Sequence, residues 1–218
     1  MVPTIKAVVF DLDGLMFNTE DIFNLSGAEL LRRRNKVLTQ ECLHGMLGRR
    51  PPEAFAVMAE MLDLDESIDL LMAESQEIFD GLLDEHLAPM PGLFELLELI
   101  ETRGLPKGVA TSSPRDYLEG MLKRYELLHR FGVTLAAEDV ARGKPHPEIY
   151  ERAASEIGIA PNEMLVLEDS EAGTRSATDA GAVVVSIPHD QTRLQDFQAA
   201  YCIAESLTDS RILQLFGE

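Results

Sequence analysis

Two carboxylates one residue apart, Asp11 and Asp13, follow the apolar run Val8-Val9-Phe10 and precede Gly14. Side chains alternate between faces in extended backbone, so the two acids share a face if the strand continues through them. Like charges that close repel unless a proton is shared or a cation sits between them, and either arrangement belongs to a site rather than to a packed core. A strand ending in a solvated Asp-Leu-Asp-Gly turn accounts for the same residues equally well. Three later segments carry further polar chemistry: Thr111-Ser112-Ser113, Gly143-Lys144-Pro145 and Glu168-Asp169-Ser170. Taken singly they read as a helix cap, a turn and a helix start.

The elements around these segments decide whether they can meet. Residues 5–10 read as a short buried strand, because an apolar run leading into polar residues suits a parallel sheet covered on both faces. From residue 19 to about residue 86 apolar residues recur at helical spacing, as at Ile22, Leu25, Leu30 and Leu31, and again at Leu70, Leu71, Ile78 and Leu82. That block is all-helical in pattern. It breaks at Leu47-Gly48-Arg49-Arg50-Pro51-Pro52, where tandem prolines stop one helix and can start the next. After Gly92 strands and helices alternate: helix 93–102, strand 108–111, helix 115–125, strand 133–136, helix 147–157, strand 164–167, helix 172–179, strand 182–187, and a weaker closing repeat. The fold class is therefore α/β, a doubly wound parallel sheet with an all-helical subdomain inserted after the first strand. Residues 1–17 and 88–218 would form the α/β core and residues 18–87 the insert. Such sheets bind ligands beyond the carboxyl ends of their strands, and Asp11, Asp13 and the three polar segments all fall at that edge.

Composition narrows the partners. The 218 residues are 45% hydrophobic and 26% charged, the make-up of a globular protein, with a formal net charge of -19. That acidity argues against broad contact with nucleic acid or anionic membranes. An anionic ligand needs the local field reversed by a metal ion or by a few placed Lys and Arg residues. Cys42 and Cys202 fit neither a disulfide framework nor a zinc pattern. No signal peptide or membrane-spanning run is legible, so a cytoplasmic protein is expected.

The joint order of the polar segments is far more specific than any one of them. FDLDG, ATSS, GKPHPEIY and VLEDSEAG, in that sequence, resemble the four motifs of the haloacid dehalogenase superfamily, and the likeness spans essentially the whole chain. It is closest to the branch with a small helical cap between the first and second motifs, which includes phosphatases and β-phosphoglucomutase-like enzymes. The resemblance implies Mg²⁺ held by Asp11, Asp13, Glu168 and Asp169, and hard oxygen ligands in that number suit the ion. It implies that Asp11 attacks phosphorus to give an aspartyl phosphate, and that Asp13 is the acid and base while its main-chain carbonyl ligates the metal. Thr111 and Ser112 would bind phosphoryl oxygens, and Lys144 would supply a fixed positive charge.

The presence of Asp13 points to phosphoryl transfer, since halide displacement needs no protonated oxygen leaving group. Asn18 departs from the Asp that related sequences often carry, and Leu15 and Met16 stand where many have Thr-Leu. These changes bear on substrate identity more than on mechanism. In the cap, Arg49 is the candidate to meet a bound phosphate or a second acidic group, with Arg115 beside the second motif as another. The basic run from Arg32 to Lys36 reads as a solvated helix face. The expected activity is hydrolysis of a small phosphorylated metabolite such as a sugar phosphate, by a monomer or weak homodimer. A phosphosugar mutase is the alternative, and a noncatalytic phospho-acceptor module or a dead binding protein of the same fold is more remote.

Overall fold

A computed structural model describes residues 3–46, 49 and 51–217. The chain divides into two compact units, Met1–Phe17 with Pro89–Glu218, and Asn18–Ala88. The first unit carries strands β1 (Ala7–Phe10), β2 (Lys107–Ala110), β3 (Val133–Leu135), β4 (Met164–Glu168), β5 (Val183–Ser186) and β6 (Cys202–Ile203). They form one parallel sheet in the order β3-β2-β1-β4-β5-β6. β1 is central, and all four of its residues are buried, which is why it is apolar on both faces.

The second unit holds helices α1 (Thr19–Arg32), α2 (Gln40–Met46), α3 (Pro51–Met61) and α4 (Ile68–His86). The first holds α5 (Leu93–Thr102), α6 (Arg115–Arg124), α7 (Glu148–Ile157), α8 (Glu171–Asp179) and α9 (Ser210–Leu215). One apolar core joins Val9 and Val166 of the sheet to Ile149, Tyr150 and Ala153 of α7 and Ala177 of α8. The hydroxyl of Ser170 caps α8 by accepting the Gly173 amide at 3.1 Å, so the helix begins directly after the acidic pair. The expected α/β alternation is present, with strand ends within about two residues of those read from pattern.

The helical unit has its own core of Leu30, Leu31, Cys42, Met58, Leu71 and Ile78. Ser26 of α1 donates to the Ser75 carbonyl of α4 at 2.6 Å, and Phe23 stacks on Phe79 with ring centres 4.3 Å apart. The prolines Pro51 and Pro52 do open α3, while Leu47, Gly48 and Arg50 lie outside the described residues. The basic run departs from a plain solvated face. Arg32 and Arg33 stay exposed, whereas Arg34 is only 14% exposed and bonds Glu66 and Glu74, because carboxylates from α4 and the turn before it reach the end of α1.

Asn18 joins the two ends of this unit. Its Nδ2 donates to the His86 carbonyl at 3.1 Å, its Oδ1 accepts the Ala88 amide at 2.7 Å, and its own amide donates to the Ala88 carbonyl at 3.1 Å. A carboxylate can replace the acceptor but not the donor, and would turn a lone pair against the carbonyl of His86. Asn18→Asp is therefore expected to lower stability by about 1–2 kcal/mol at neutral pH in urea unfolding. The loss should shrink as pH falls towards about 4, where a protonated carboxyl regains a donor.

Candidate active site

Strand register delivers the first acids. Phe10 pairs with Leu167 on one side and with Val109 on the other, and the Asp11 amide still donates to the Leu167 carbonyl at 3.0 Å. Asp11, Glu168 and Ala110, each one step further, therefore emerge side by side between β2, β1 and β4. Here the chain, having run outward from β1 to β3, returns to the opposite side of β1, and ligand crevices in doubly wound sheets lie at that reversal.

Lys144, from the loop before α7, closes the group. Its Nζ donates to Asp11 Oδ1 at 2.5 Å, to Glu168 Oε1 at 2.6 Å and to the Ala110 carbonyl at 3.0 Å, three acceptors for the three protons of an ammonium. It also lies 5.0 Å from the centre of the Tyr150 ring. All of this is sealed from solvent: the Lys144 side chain is 6% exposed and that of Glu168 is 0%. Burial works against the ammonium, yet the Asp11 and Glu168 carboxylates outweigh it and hold Lys144 well above the ordinary lysine value. Burial lifts Asp11 well above the ordinary carboxyl range; Lys144 opposes the rise, and Glu168, Asp169 and Asp13 add to it.

Glu168 is held by neighbours at both oxygens. Its Oε1 accepts from the Tyr150 hydroxyl at 2.6 Å as well as from Lys144, and its Oε2 accepts from the Asp169 amide and the Ser170 hydroxyl, each at 3.2 Å. Gly173 backs this carboxylate so closely that a Cβ at that position would overlap it. Asp169 turns the other way, with His189 Nε2 at 2.8 Å from Oδ2 and Nδ1 of the same ring 2.5 Å from Gln191 Oε1. Burial pushes Asp169 up to about 6, with the hydrogen bond from His189 pulling it down. Gly14 makes this approach possible: its φ is +73°, and a Cβ there would stand 2.5 Å from Asp169 Oδ2 and 2.8 Å from His189 Nε2.

Asp13 is handled separately. β1 ends at Phe10, so the shared strand face expected for Asp11 and Asp13 does not extend to Asp13, which lies in a turn bridged to Phe17. Its Oδ2 accepts from Ser113 Oγ at 2.7 Å and, more weakly, from Thr111 Oγ1 at 3.4 Å; its Oδ1 accepts from the Tyr117 hydroxyl at 2.9 Å. Thr111 is buried at the end of β2, and its Oγ1 also accepts the Ser113 amide at 3.0 Å. Ser112 is exposed in the same turn.

A cation fits beside this arrangement. Oxygens of Asp11, Glu168 and Asp169 lie within 4.8 Å of one another, and Lys144 pairs with two of the three. A hard oxygen set with surplus negative charge suits Mg²⁺. The Asp13 carboxylate, expected among the ligands, is not in that group among the described residues, because the hydroxyls of α6 and the turn before it draw it aside.

The arginines fall elsewhere. Arg115 donates to the Thr134 hydroxyl and carbonyl, each at 3.0 Å, and pairs with Asp139, so its guanidinium ties α6 to β3 and the turn after it. It is not brought to the carboxylates, since the acids following β3 hold it first. Arg49, in the helical unit, is exposed and donates to the Gly45 carbonyl at 2.8 Å. Sequence reasoning missed Tyr117, Tyr150 and His189. The four-residue spacing of Ser113 and Tyr117 and the final Tyr of GKPHPEIY were available signals; for His189, 20 positions beyond its partner, there was none.

The family model of haloacid dehalogenase-like hydrolases matches residues 8–187. The chain belongs to that family. It is 34% identical over 209 residues to validoxylamine A 7'-phosphate phosphatase of Streptomyces hygroscopicus subsp. limoneus, covering 94% of this chain and 96% of the relative. It is 28% identical over 180 residues to the phosphorylated carbohydrates phosphatase of Thermotoga maritima, covering 81% and 82%. Among solved structures it resembles CbbY from Rhodobacter sphaeroides in complex with phosphate, with a TM-score of 0.76, 26% identity, and coverage of 94% and 95%.

The buried pairing makes Lys144 expensive to lose. Lys144→Met removes the one cation and leaves Asp11 and Glu168 facing each other in a dry site. Denaturant unfolding at neutral pH without added metal should show a loss of roughly 3–5 kcal/mol.

Proposed function

We propose that the chain is a Mg²⁺-dependent phosphomonoester hydrolase that acts on a small phosphometabolite of the sugar phosphate class through an aspartyl-phosphate intermediate. One observation carries the reading: the two acids of the first motif have different partners, Asp11 with Lys144 in a buried charge cluster and Asp13 with neutral hydroxyls. A nucleophile and an acid that also serves as base need that separation.

In this mechanism a carboxylate oxygen of Asp11 forms a bond to phosphorus as the ester P–O bond breaks. The leaving alkoxide takes a proton from Asp13. A water molecule then gives its proton to Asp13 and bonds to phosphorus, the bond to Asp11 breaks, and inorganic phosphate departs. Lys144 offsets the charge of the phosphoryl oxygens, while Thr111 and Ser112 donate hydroxyl hydrogen bonds to them. Asp11, Glu168 and Asp169, with the main-chain carbonyl of Asp13, would hold Mg²⁺. Bound there, the ion draws the anionic phosphate to an acidic protein and neutralises charge in the transition state. Its surplus of carboxylates over lysine is the property of the site that supports a metal.

Hydrolysis is favoured over mutase chemistry because the two relatives described above, matched over most of their length, are named as phosphatases, one of them for phosphorylated carbohydrates. Residues 18–87 serve as the cap, and Arg49 contributes to substrate choice in this reading.

Release of phosphate from a panel of small phosphomonoesters should require Mg²⁺ and disappear on chelation. Asp11→Asn and Asp13→Asn should abolish it with folding intact by circular dichroism; inactivity of the wild-type protein across the panel, or turnover by Asp11→Asn, would refute the proposal. Conversion of β-glucose 1-phosphate to glucose 6-phosphate faster than phosphate release would assign the chain to the mutases instead.

Arg49→Ala should raise KM for the preferred substrate of that panel more than for an aryl phosphate. Equal effects on the two would remove Arg49 from substrate recognition.

A further inference from the structure

Tyr117 stands on the first turns of α6, where its hydroxyl donates to Asp13 Oδ1 at 2.9 Å across 104 positions of sequence. Asp13's other oxygen is served by Ser113 at 2.7 Å and Thr111 at 3.4 Å. The two oxygens therefore differ in what happens to them when a phosphoryl group arrives. Thr111, one of the two donors at Oδ2, is assigned above to a phosphoryl oxygen, and Ser113 belongs to the same turn, so the bonds at Oδ2 are the ones exchangeable for bonds to substrate. The bond at Oδ1 is not exchangeable in this way, because Tyr117 lies a helical turn beyond that loop.

We infer that Tyr117 is a positioning residue for Asp13: its phenol anchors Oδ1, leaving Oδ2 to deliver the proton to the leaving oxygen. This rests on the phosphatase reading, in which Asp13 is the acid. A carboxyl group swings freely about two side-chain torsions, and proton transfer needs heavy atoms within about 2.6–3.2 Å. Ser113 alone cannot supply the constraint during turnover, since it bonds Oδ2, the oxygen that must turn to the leaving group. The partly buried phenol is carried by α6 and bonds the other carboxylate oxygen, Oδ1.

The consequence depends on the leaving group. An alkoxide leaving from a sugar phosphate needs the proton of Asp13, whereas a nitrophenolate departs without one. The quantity kcat/KM covers only the steps up to the first irreversible one, transfer to Asp11, so the later hydrolysis of the intermediate does not enter. The test compares glucose 6-phosphate with para-nitrophenyl phosphate, using wild type, Tyr117→Phe and Asp11→Asn.

Tyr117→Phe should lower the ratio of kcat/KM for the sugar ester to that for the aryl ester by about tenfold or more, within the general acid contribution of about 10²–10⁴. Because both values come from one preparation, the ratio is independent of how much variant folds. An equal loss on both esters would make Tyr117 a structural residue and overturn the inference, as would a ratio equal to or above that of wild type. Wild-type turnover of the aryl ester but of no alkyl ester in the panel would leave Asp13 with no proton to deliver and overturn it too. Turnover of either ester by Asp11→Asn, or inactivity of wild type across the whole panel, would instead bring down the phosphatase reading on which it stands.

Discussion

The ammonium of Lys144, held between Asp11 and Glu168 with almost no access to water, is the interaction on which the rest of the site depends. A charge buried that deeply is tolerable only when every proton finds an acceptor, and here three do. Its presence allows Asp11 to sit among carboxylates at a strand end that would otherwise repel it. It also explains why so much surrounding structure is specified: the hydroxyl of Tyr150 and the missing side chain of Gly173 both hold the Glu168 carboxylate to the one position from which it can share the lysine.

Charge is divided between two environments a few residues apart. Asp11, Glu168 and Asp169 form a dry cluster with a net negative balance, where a divalent ion and a phosphoryl group are complementary guests. Asp13 takes its hydrogen bonds from neutral hydroxyls, although its charge still reaches Asp11. The strand β1 ends at Phe10, and Asp13 lies in the turn bridged to Phe17, next to the hydroxyls of Ser113 and Tyr117.

The helical unit is built on different physics. Its core of leucines and methionines is continuous, and its few buried polar contacts, Ser26 with Ser75 and Arg34 with Glu66 and Glu74, are internally matched. Among its described residues that core carries no charged cluster like the one at the sheet edge of the other unit. Arg115 shows how readily a plausible cation is diverted. The acids Glu138 and Asp139 follow β3 closely enough to take its amide and its guanidinium, so its place beside the second motif carries no weight by itself.

Most of the fold was legible in the sequence because it rests on local pattern. Apolar runs such as Ala7 to Phe10, the helical spacing after Thr19, and Ser170 preceding α8 mark elements whatever their neighbours are. The order of the motifs further identified Asp11, Asp13, Thr111, Lys144, Glu168 and Asp169 as belonging together. Which acid meets which partner was not legible. Lys144 lies 133 positions from Asp11, and Tyr117 lies 104 from Asp13; such pairings are set by strand order and helix placement, which periodicity does not encode. The sequence by itself thus determined the inventory of charges at one sheet edge. Only the tertiary structure decided that the two aspartates of a single motif would be held by an ammonium in one case and by hydroxyls in the other, because the partners come from segments a hundred or more positions away that only the strand order and helix placement bring together.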